Sequence, residues 1–380
     1  MLVRCLAMMR GGGETRHLAW ARELAALGVD VDVIAGAPLL GSPRHRIDEV
    51  RASLIRSPYT RDFVYRFQHR RGFGRLTMTA LHVDEEWFCR AAWKRIAAAA
   101  HPPDVVHAHA LHQAARLRVD SIPVVVNLPG PPNERYAADL RLADALVADG
   151  WAAEHLPDVL GRAVDRVPKG VDVERFQPDG PDLRGHLALQ HKRVVVTVAR
   201  LVPLKNVRLL IEALALLRRR LGDVHLLIVG DGPQREALER TAAGLGLNDG
   251  VTFAGRIDHE ETPAWFRSGD VFALSSDFDN SPNAVLEAMA CGLPVAATDV
   301  GGVRELVGSA GAALVRPRDT DALAGALERY LASPEEARAA GMRNRARTLA
   351  EFSWRASALR LLSVYDRVIA ARSGAARASA

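Results

Sequence analysis

Short apolar runs alternate along the whole chain with stretches whose apolar residues recur every three or four positions. LVRCLAM (2–8) reads as a buried strand closed by Gly11-Gly12-Gly13, and HLAWARELAALG (17–28) as an amphipathic helix that stops at a glycine. VDVDVI (29–34), DVVHAH (104–109), PVVVNL (123–128), ADALVA (143–148) and DRVPKGV (165–171) read as further strands, with helical stretches between most of them. A second series opens with RVVVTVARL (193–201). It continues through a helix at 206–220, VHLLIVG (224–230), a helix at 233–245 and VTFAGR (251–256). A helix near 260–268, DVFALSS (270–276), a helix near 283–291 and PVAAT (294–298) complete it. Such alternation predicts parallel sheets covered by helices on both faces. The fold class is therefore α/β, with two doubly wound domains over 1–182 and 183–353 joined at the polar stretch QPDGPDLRGH (177–186). The helical run 354–371 follows the second sheet. It is expected to pack back on the first domain and to end in a small-residue tail at 380. Two such domains facing each other create a cleft at the carboxyl ends of both sheets, where open α/β folds bind ligands.

Composition narrows this picture. A length of 380 residues suits two domains, and 48% hydrophobic residues exclude global disorder. No apolar run reaches the ~18 residues of a membrane span. The N-terminal segment lacks the cationic start, longer apolar core and cleavage site of a signal peptide. Cys5, Cys89 and Cys291 are odd in number and far apart, which excludes a disulfide framework and a Cys-rich zinc site and suits the cytoplasm. The net charge of +5 is carried mostly by scattered arginine, so no nucleic-acid partner is expected. One local excess stands out at 51–76. There Arg51, Arg56, Arg61, Arg66, Arg70, Arg71 and Arg75 interleave with Tyr59, Phe63, Tyr65, Phe67 and Phe73. The four-residue spacing of Phe63 and Phe67, and of Arg66 and Arg70, fits an amphipathic helix. Its basic face suits an anionic acceptor, a membrane surface, or plain solvent over core aromatics.

Three constellations carry chemistry. Gly11, Gly12 and Gly13 precede a helix whose free amides and dipole favour an anion or a sugar, and the missing side chains let a ligand approach the backbone. The pattern is not GxGxxG, and the second strand ends in VIAGAP without an acidic residue, which argues against a dinucleotide cofactor. Arg200 and Lys205 follow the first strand of the second series, two cations suited to a diphosphate. In SSDFDNSPNAVLEAMA (275–290), the turn Asn280-Ser281-Pro282-Asn283 leads into a helix near Ala284 and offers a second phosphate cradle. Glu287 sits one turn into that helix, placed to accept from a ribose diol or to pair with the helix dipole, and Asp279 lies at the rim.

Together these segments resemble the retaining glycosyltransferases of family 4, whose fold is GT-B. The family's Glu-x7-Glu pair and Ala-Met-Ala-x-Gly-x-Pro-Val run correspond here to Asp279, Glu287 and Ala288-Met289-Ala290-Cys291-Gly292-Leu293-Pro294-Val295. The resemblance implies that Glu287 holds the donor ribose. Asp279 and the turn residues Asn280, Ser281, Pro282, Asn283 and Ala284, through the amides of all but the proline, would hold the donor sugar and phosphate. It assigns Arg200 and Lys205 to the pyrophosphate, with Ala199 and Asn206 at the positions of flanking family glycines. Gly230-Asp231-Gly232-Pro233 matches a Gly-x-Gly-Pro turn, and Gly255-Arg256-Ile257 the loop around the base. Pro168-Lys169-Gly170-Val171-Asp172 matches a Pro-Asn-Gly-Val-Asp turn with lysine for asparagine. Gly12 and Gly13 would border the donor, and Gly13, Glu14, Arg66, Arg70 and His109 the acceptor.

His107, His109 and His112 form HAHALH at a strand end. Read bare, the HxH pair could hold a metal, but no nearby Cys/His set completes a site. The resemblance makes His109 the residue that positions the acceptor or stabilises the transition state, and His107 strand packing. A family Leu-His-Gly is replaced by Leu128-Pro129-Gly130, so that polar contact is lost. Asp277-Phe278-Asp279 spells DxD but falls inside the acidic-pair motif, so no metal is assigned. The implied reaction moves a hexose-type sugar from a nucleoside-diphosphate sugar to a hydroxyl of a small molecule or glycoconjugate, with retention and without a cofactor. Family frequency points to UDP. The competing readings are a sugar-nucleotide 2-epimerase and a non-catalytic sugar-nucleotide-binding paralogue.

Overall fold

The computed structural model describes residues 1–8, 12–40, 42–58, 74–119, 121–130, 136–308 and 312–378. It divides into two compact units, Met1–Lys169 with Trp354–Ala380, and Gly170–Ser353.

The first unit carries a seven-stranded sheet in the order β3-β2-β1-β4-β5-β6-β7. Its strands are β1 (Leu2–Val3), β2 (Val33–Pro38), β3 (Ala52–Ser57), β4 (Val106–His109), β5 (Val124–Asn127), β6 (Ala145–Ala148) and β7 (Asp165–Arg166). Every pair is parallel. The helices α1 (Gly12–Ala26), α2 (Gly74–Ala97), α3 (Ala137–Leu140) and α4 (Gly150–Leu160) lie between them in sequence.

Several sequence boundaries move. The run 2–8 is a strand only at its start. After Val3 the amides of Leu6 and Met8 donate to Val3 and Cys5 in successive turns, although the side chains of Leu6, Ala7 and Met8 stay buried. An apolar run marks burial and does not by itself separate strand from buried turn. The strand expected at 29–34 begins at Val33. Asp30 and Asp32 are exposed ligands of Arg51 and lie outside the sheet. Alternating Val-Asp is the signature of a half-exposed strand. A parallel sheet covered on both faces takes instead the continuous small apolar run VIAGAP. The edge strand β3 falls within the basic stretch, and the helix expected around Phe63 and Phe67 lies outside the described residues.

The second unit repeats the plan with six parallel strands in the order β10-β9-β8-β11-β12-β13. These are β8 (Arg193–Val198), β9 (Val224–Val229), β10 (Val251–Gly255), β11 (Val271–Leu274), β12 (Val295–Thr298) and β13 (Ala312–Val315). Between and after them run α5 (Val207–Leu221), α6 (Arg235–Gly244), α7 (Thr262–Arg267), α8 (Asn283–Ala290), α9 (Val303–Val307), α10 (Thr320–Ala332) and α11 (Pro334–Glu351). Neighbouring residues of β8 serve opposite layers. Val195 packs with Leu210, Leu214 and Leu217 of α5, while Val194 and Val196 pack with Val285 and Met289 of α8. Both faces are dry, so the strand needs no polar position to alternate with the apolar ones.

The boundary falls at Lys169–Gly170, earlier than the expected 182–183. Phe176 explains the shift. It is fully buried in the second unit's core, and Arg345 Nη1 donates to its carbonyl at 2.7 Å. The last helix, α12 (Trp354–Ala378), belongs to the first unit, where Leu361, Val364 and Tyr365 pack with Trp20 and Leu24 of α1. No described helix is long and apolar enough to cross a membrane.

Candidate functional site

In a sheet of order 3-2-1-4-5-6, the strand order reverses between the first and fourth strands, and loops leaving their carboxyl ends flank a crevice. In the second unit these are β8 and β11. The loop after β8 carries Arg200 and Lys205, and the loop after β11 carries Ser275 through Pro282.

The two loops are tied together by polar contacts. Lys205 donates from Nζ to Asp279 Oδ2, and Ser276 Oγ donates to the same oxygen at 3.4 Å. Ser275 Oγ donates to the Lys205 carbonyl at 3.0 Å, and the Asp277 amide to the Leu204 carbonyl at 2.9 Å. Asp277 is held from two sides. Asn206 Nδ2 donates to Oδ1 at 3.0 Å, and Arg318 Nη2 and Nε donate to Oδ2 at 2.8 and 3.1 Å. The Arg318 guanidinium holds the Asp277 carboxyl below its ordinary value. Both aspartates of the DxD string thus face protein cations. Among the described residues, no group of three or more His, Cys, Asp or Glu is arranged to hold a metal ion.

The turn 279–282 leads into α8, which starts at Asn283 without a side-chain cap. Its first amides have no partner within the helix and carry the positive end of its dipole. Gly301 locks this turn from behind. Its φ is +52°, and a Cβ there would lie 1.6 Å from the Asp279 carbonyl oxygen. The Gly302 amide donates to the Asn280 carbonyl at 2.9 Å. Arg200 is exposed, and its guanidinium has no partner among the described residues; the same holds for Arg256. Gly230 and Gly232 do a structural job. Cβ atoms there would lie 1.9 Å from the Ala199 carbonyl oxygen and 2.5 Å from that of Leu201. Only glycine lets this turn support the loop bearing Arg200. Ile257 packs on the core of the unit.

Glu287 is the fifth of the eight residues of α8 and is buried, and His259 Nε2 donates to its Oε1 at 3.1 Å. That hydrogen bond raises the His259 pKa above 6.5. The sequence reading missed His259, Arg318 and the role of Asn206. Asn206 carried the available signal: it is a polar residue at a left-handed φ of 43° just before a helix, where the matching motif has glycine.

In the first unit the reversal lies between β1 and β4. Gly12 and Gly13 open α1, and Glu14 is buried in its first turn. His109 ends β4, directly across from Asn127 of β5, and its Nδ1 lies 3.0 Å from Asn127 Oδ1. The His17 ring of α1 packs on His109 with centroids 4.3 Å apart. His107 is buried, its Nδ1 2.5 Å from the Tyr365 hydroxyl of α12, so the structure makes it a tie to the last helix. Lys169 places its ammonium 3.9 Å from Asp149 Oδ2, while Arg16 Nη2 donates to Oδ1 of the same carboxylate at 2.9 Å. Arg66 and Arg70 lie outside the described residues. His17 and Asn127 were missed as well. An asparagine ending the run VVVN in a buried parallel strand is itself a signal, because a buried amide must find partners.

With this geometry in hand, similarity to known proteins becomes informative. A family model described as "Glycosyl transferases group 1" matches residues 192–333. The D-inositol 3-phosphate glycosyltransferase of Frankia alni is 33% identical over 282 residues, 69% of this chain and 68% of the relative. The GDP-mannose-dependent alpha-(1-6)-phosphatidylinositol monomannoside mannosyltransferase of Mycolicibacterium smegmatis is 41% identical over 212 residues. That match covers 52% of this chain and 55% of the relative, so the chain spans about half the length of this relative. Among solved structures, the sucrose-phosphate synthase from Thermosynechococcus elongatus superposes with a TM-score of 0.76 at 24% identity, covering 97% of this chain and 98% of the other. The fold is GT-B. The chain belongs to the group 1 glycosyltransferases.

Proposed function

We propose that the protein transfers a hexose from a nucleoside-diphosphate sugar to an acceptor hydroxyl, with retention at the anomeric carbon. The observation that carries this reading is the second unit's crevice. Lys205, the 279–282 turn and the start of α8 stand together there, with Glu287 one turn further on and Arg200 on the same loop as Lys205. Cations and helix amides neutralise the two phosphates, and Glu287 accepts from the ribose diol. The bond from the anomeric carbon to the diphosphate oxygen breaks, and the electron pair leaves on that oxygen. Arg200 and Lys205 stabilise the charge that develops there. The acceptor oxygen bonds to the same face of the anomeric carbon, and its proton passes to the departing phosphate oxygen. Protein cations do the work that a metal does in other transferases, so no cofactor is required.

The uridine expected on family frequency gives way, as first choice, to guanosine, because the Mycolicibacterium relative is named for GDP-mannose. The acceptor side belongs to the first unit, with His109, Gly13 and Glu14. The D-inositol 3-phosphate in the name of the Frankia relative favours a polyol acceptor. Peripheral membrane contact through the basic stretch is supported by its described neighbours. Leu76, Val83 and Trp87 of α2 and Leu39 and Leu40 after β2 are all exposed. Three buried free cysteines agree with a reducing cytoplasm.

A thermal-shift panel of GDP, UDP, ADP and TDP with their sugars tests the reading. The matching nucleotide raises the melting temperature, because a ligand that binds only the folded state stabilises it. No shift from any of them overturns it.

A further inference from the structure

We propose that Asn127 is a positioning residue that fixes the tautomer of His109, placing the proton on Nδ1 and the lone pair on Nε2. The inference rests on the transferase reading for its catalytic meaning, but its structural basis stands alone. Asn127 is fully buried on β5, and its Nδ2 faces the Val147 carbonyl oxygen at 3.3 Å. A carbonyl only accepts, so the amide nitrogen must point there, and the amide oxygen is left facing His109. Turning the amide over would set two buried oxygens, Asn127 Oδ1 and the Val147 carbonyl, against each other. Asn127 Oδ1, 3.0 Å from His109 Nδ1, therefore also only accepts, and the proton of the neutral ring sits on Nδ1.

The backbone enforces the same pairing. His109 and Asn127 are register partners in adjacent parallel strands, and the Ala110 amide donates to the Asn127 carbonyl at 2.9 Å. Ala110 takes a positive φ of 48°, so the chain turns sharply as soon as the histidine is placed. The His17 ring packed on His109 limits its rotation. With the proton on Nδ1, Nε2 can only accept, so it takes a hydrogen bond from a substrate hydroxyl other than the reacting one, whose proton goes to the departing phosphate, and holds the substrate in register. A ring with the proton on Nε2 would donate to that hydroxyl instead and leave its proton pointing elsewhere.

The test is nitrogen NMR on the protein labelled at histidine, with the His109 signals identified by their loss in His109→Gln. The expected result is a protonated Nδ1 and an unprotonated Nε2 in the ligand-free protein. Asn127→Leu, which removes the acceptor, should move the proton to Nε2 and lower kcat at least about tenfold while the donor KM stays within about threefold. Asn127→Asp keeps an acceptor toward Nδ1 but sets a second oxygen against the Val147 carbonyl, so it should retain the Nδ1–H signature while lowering the melting temperature. Wild-type His109 carrying its proton on Nε2 overturns the proposal, whether or not either variant folds. So does a Leu variant whose tautomer is unchanged, or whose tautomer changes with kcat intact. Failure of the unaltered protein to transfer sugar would instead strike the transferase reading, and the tautomer measurement would still decide this one.

Discussion

The Lys205 ammonium sits on the Asp279 carboxylate, and the Ser276 hydroxyl donates to the same oxygen. The cation proposed for the diphosphate is thus held in place by the acidic residue proposed for the sugar. An ammonium has three donors and a carboxylate two oxygens, so the pair can keep one mutual contact while each reaches a different part of the donor.

Lys205→Ala should therefore remove charge stabilisation at the leaving oxygen and leave Asp279 without its cation. The expected loss in donor turnover is at least ~100-fold, or ~2.7 kcal/mol of transition-state stabilisation. Asp279→Ala should also lose turnover, and the double variant should lose less than the sum of the two effects, because the residues are in contact. Steady-state kinetics with a double-mutant cycle checks this. Full additivity would mean that the two side chains act separately.

Gly301 sets the position of the same turn. Its φ of +52° and a Cβ position 1.6 Å from the Asp279 carbonyl oxygen leave no space for a side chain. Gly301→Ala should destabilise the protein by about 2 kcal/mol or more, combining left-handed strain with a forced backbone shift. The shift would move Asp279 off Lys205, so nucleotide affinity should fall together with the melting temperature. Denaturant unfolding and nucleotide titration on the same sample test the coupling.

The hydrogen bond from His259 to Glu287 gives donor binding a pH dependence. Glu287 raises the His259 pKa above 6.5. The pairing is therefore fully formed below 6.5 and is lost as the pH rises through the higher folded value. A ribose diol competes with the protonated ring for the same carboxylate oxygen. Donor KM should fall as the pH rises through this window, and His259→Gln should flatten that part of the profile. A KM that rises with pH in the wild type would count against Glu287 as the ribose acceptor.

The difference between what the sequence revealed and what it hid follows from the range of the interactions. The strand series 193–298 was legible because its strands are mostly apolar runs, buried along β8, β9, β11 and β12 and partly buried in the edge strand β10, and such runs survive most details of packing. Glu287, Asp279 and Lys205 were legible through fixed local spacing. Phe176 was assigned to the wrong unit, because nothing near it in sequence shows that its partners lie on α8 and α11. Arg318 and His259 reach Asp277 and Glu287 across 41 and 28 positions, and no periodicity encodes such pairings. His107 was read as strand packing, which describes its burial and leaves out its partner on the last helix.

Burial of that histidine makes the first unit sensitive to acid, and Tyr365 ties the same residue to α12. His107 Nδ1 lies 2.5 Å from the Tyr365 hydroxyl, and burial pushes the His107 pKa well below 6.5. The unfolded chain takes up a proton near the ordinary value, while the folded chain resists it. Stability is therefore complete above 6.5 and declines as the pH falls below it. His225 in the second unit, lowered to about 4 by burial, contributes with the same sign. Melting temperatures measured from about pH 7.5 down to about pH 5 should fall, and His225→Gln should remove only part of the slope. Tyr365→Phe leaves His107 Nδ1 without its partner and should cost about 1–3 kcal/mol at neutral pH. Limited proteolysis of this variant should release α12 first, since Tyr365 carries the helix's bond to β4. Cleavage that starts elsewhere would mean that Leu361, Val364 and Val368 hold the helix without it.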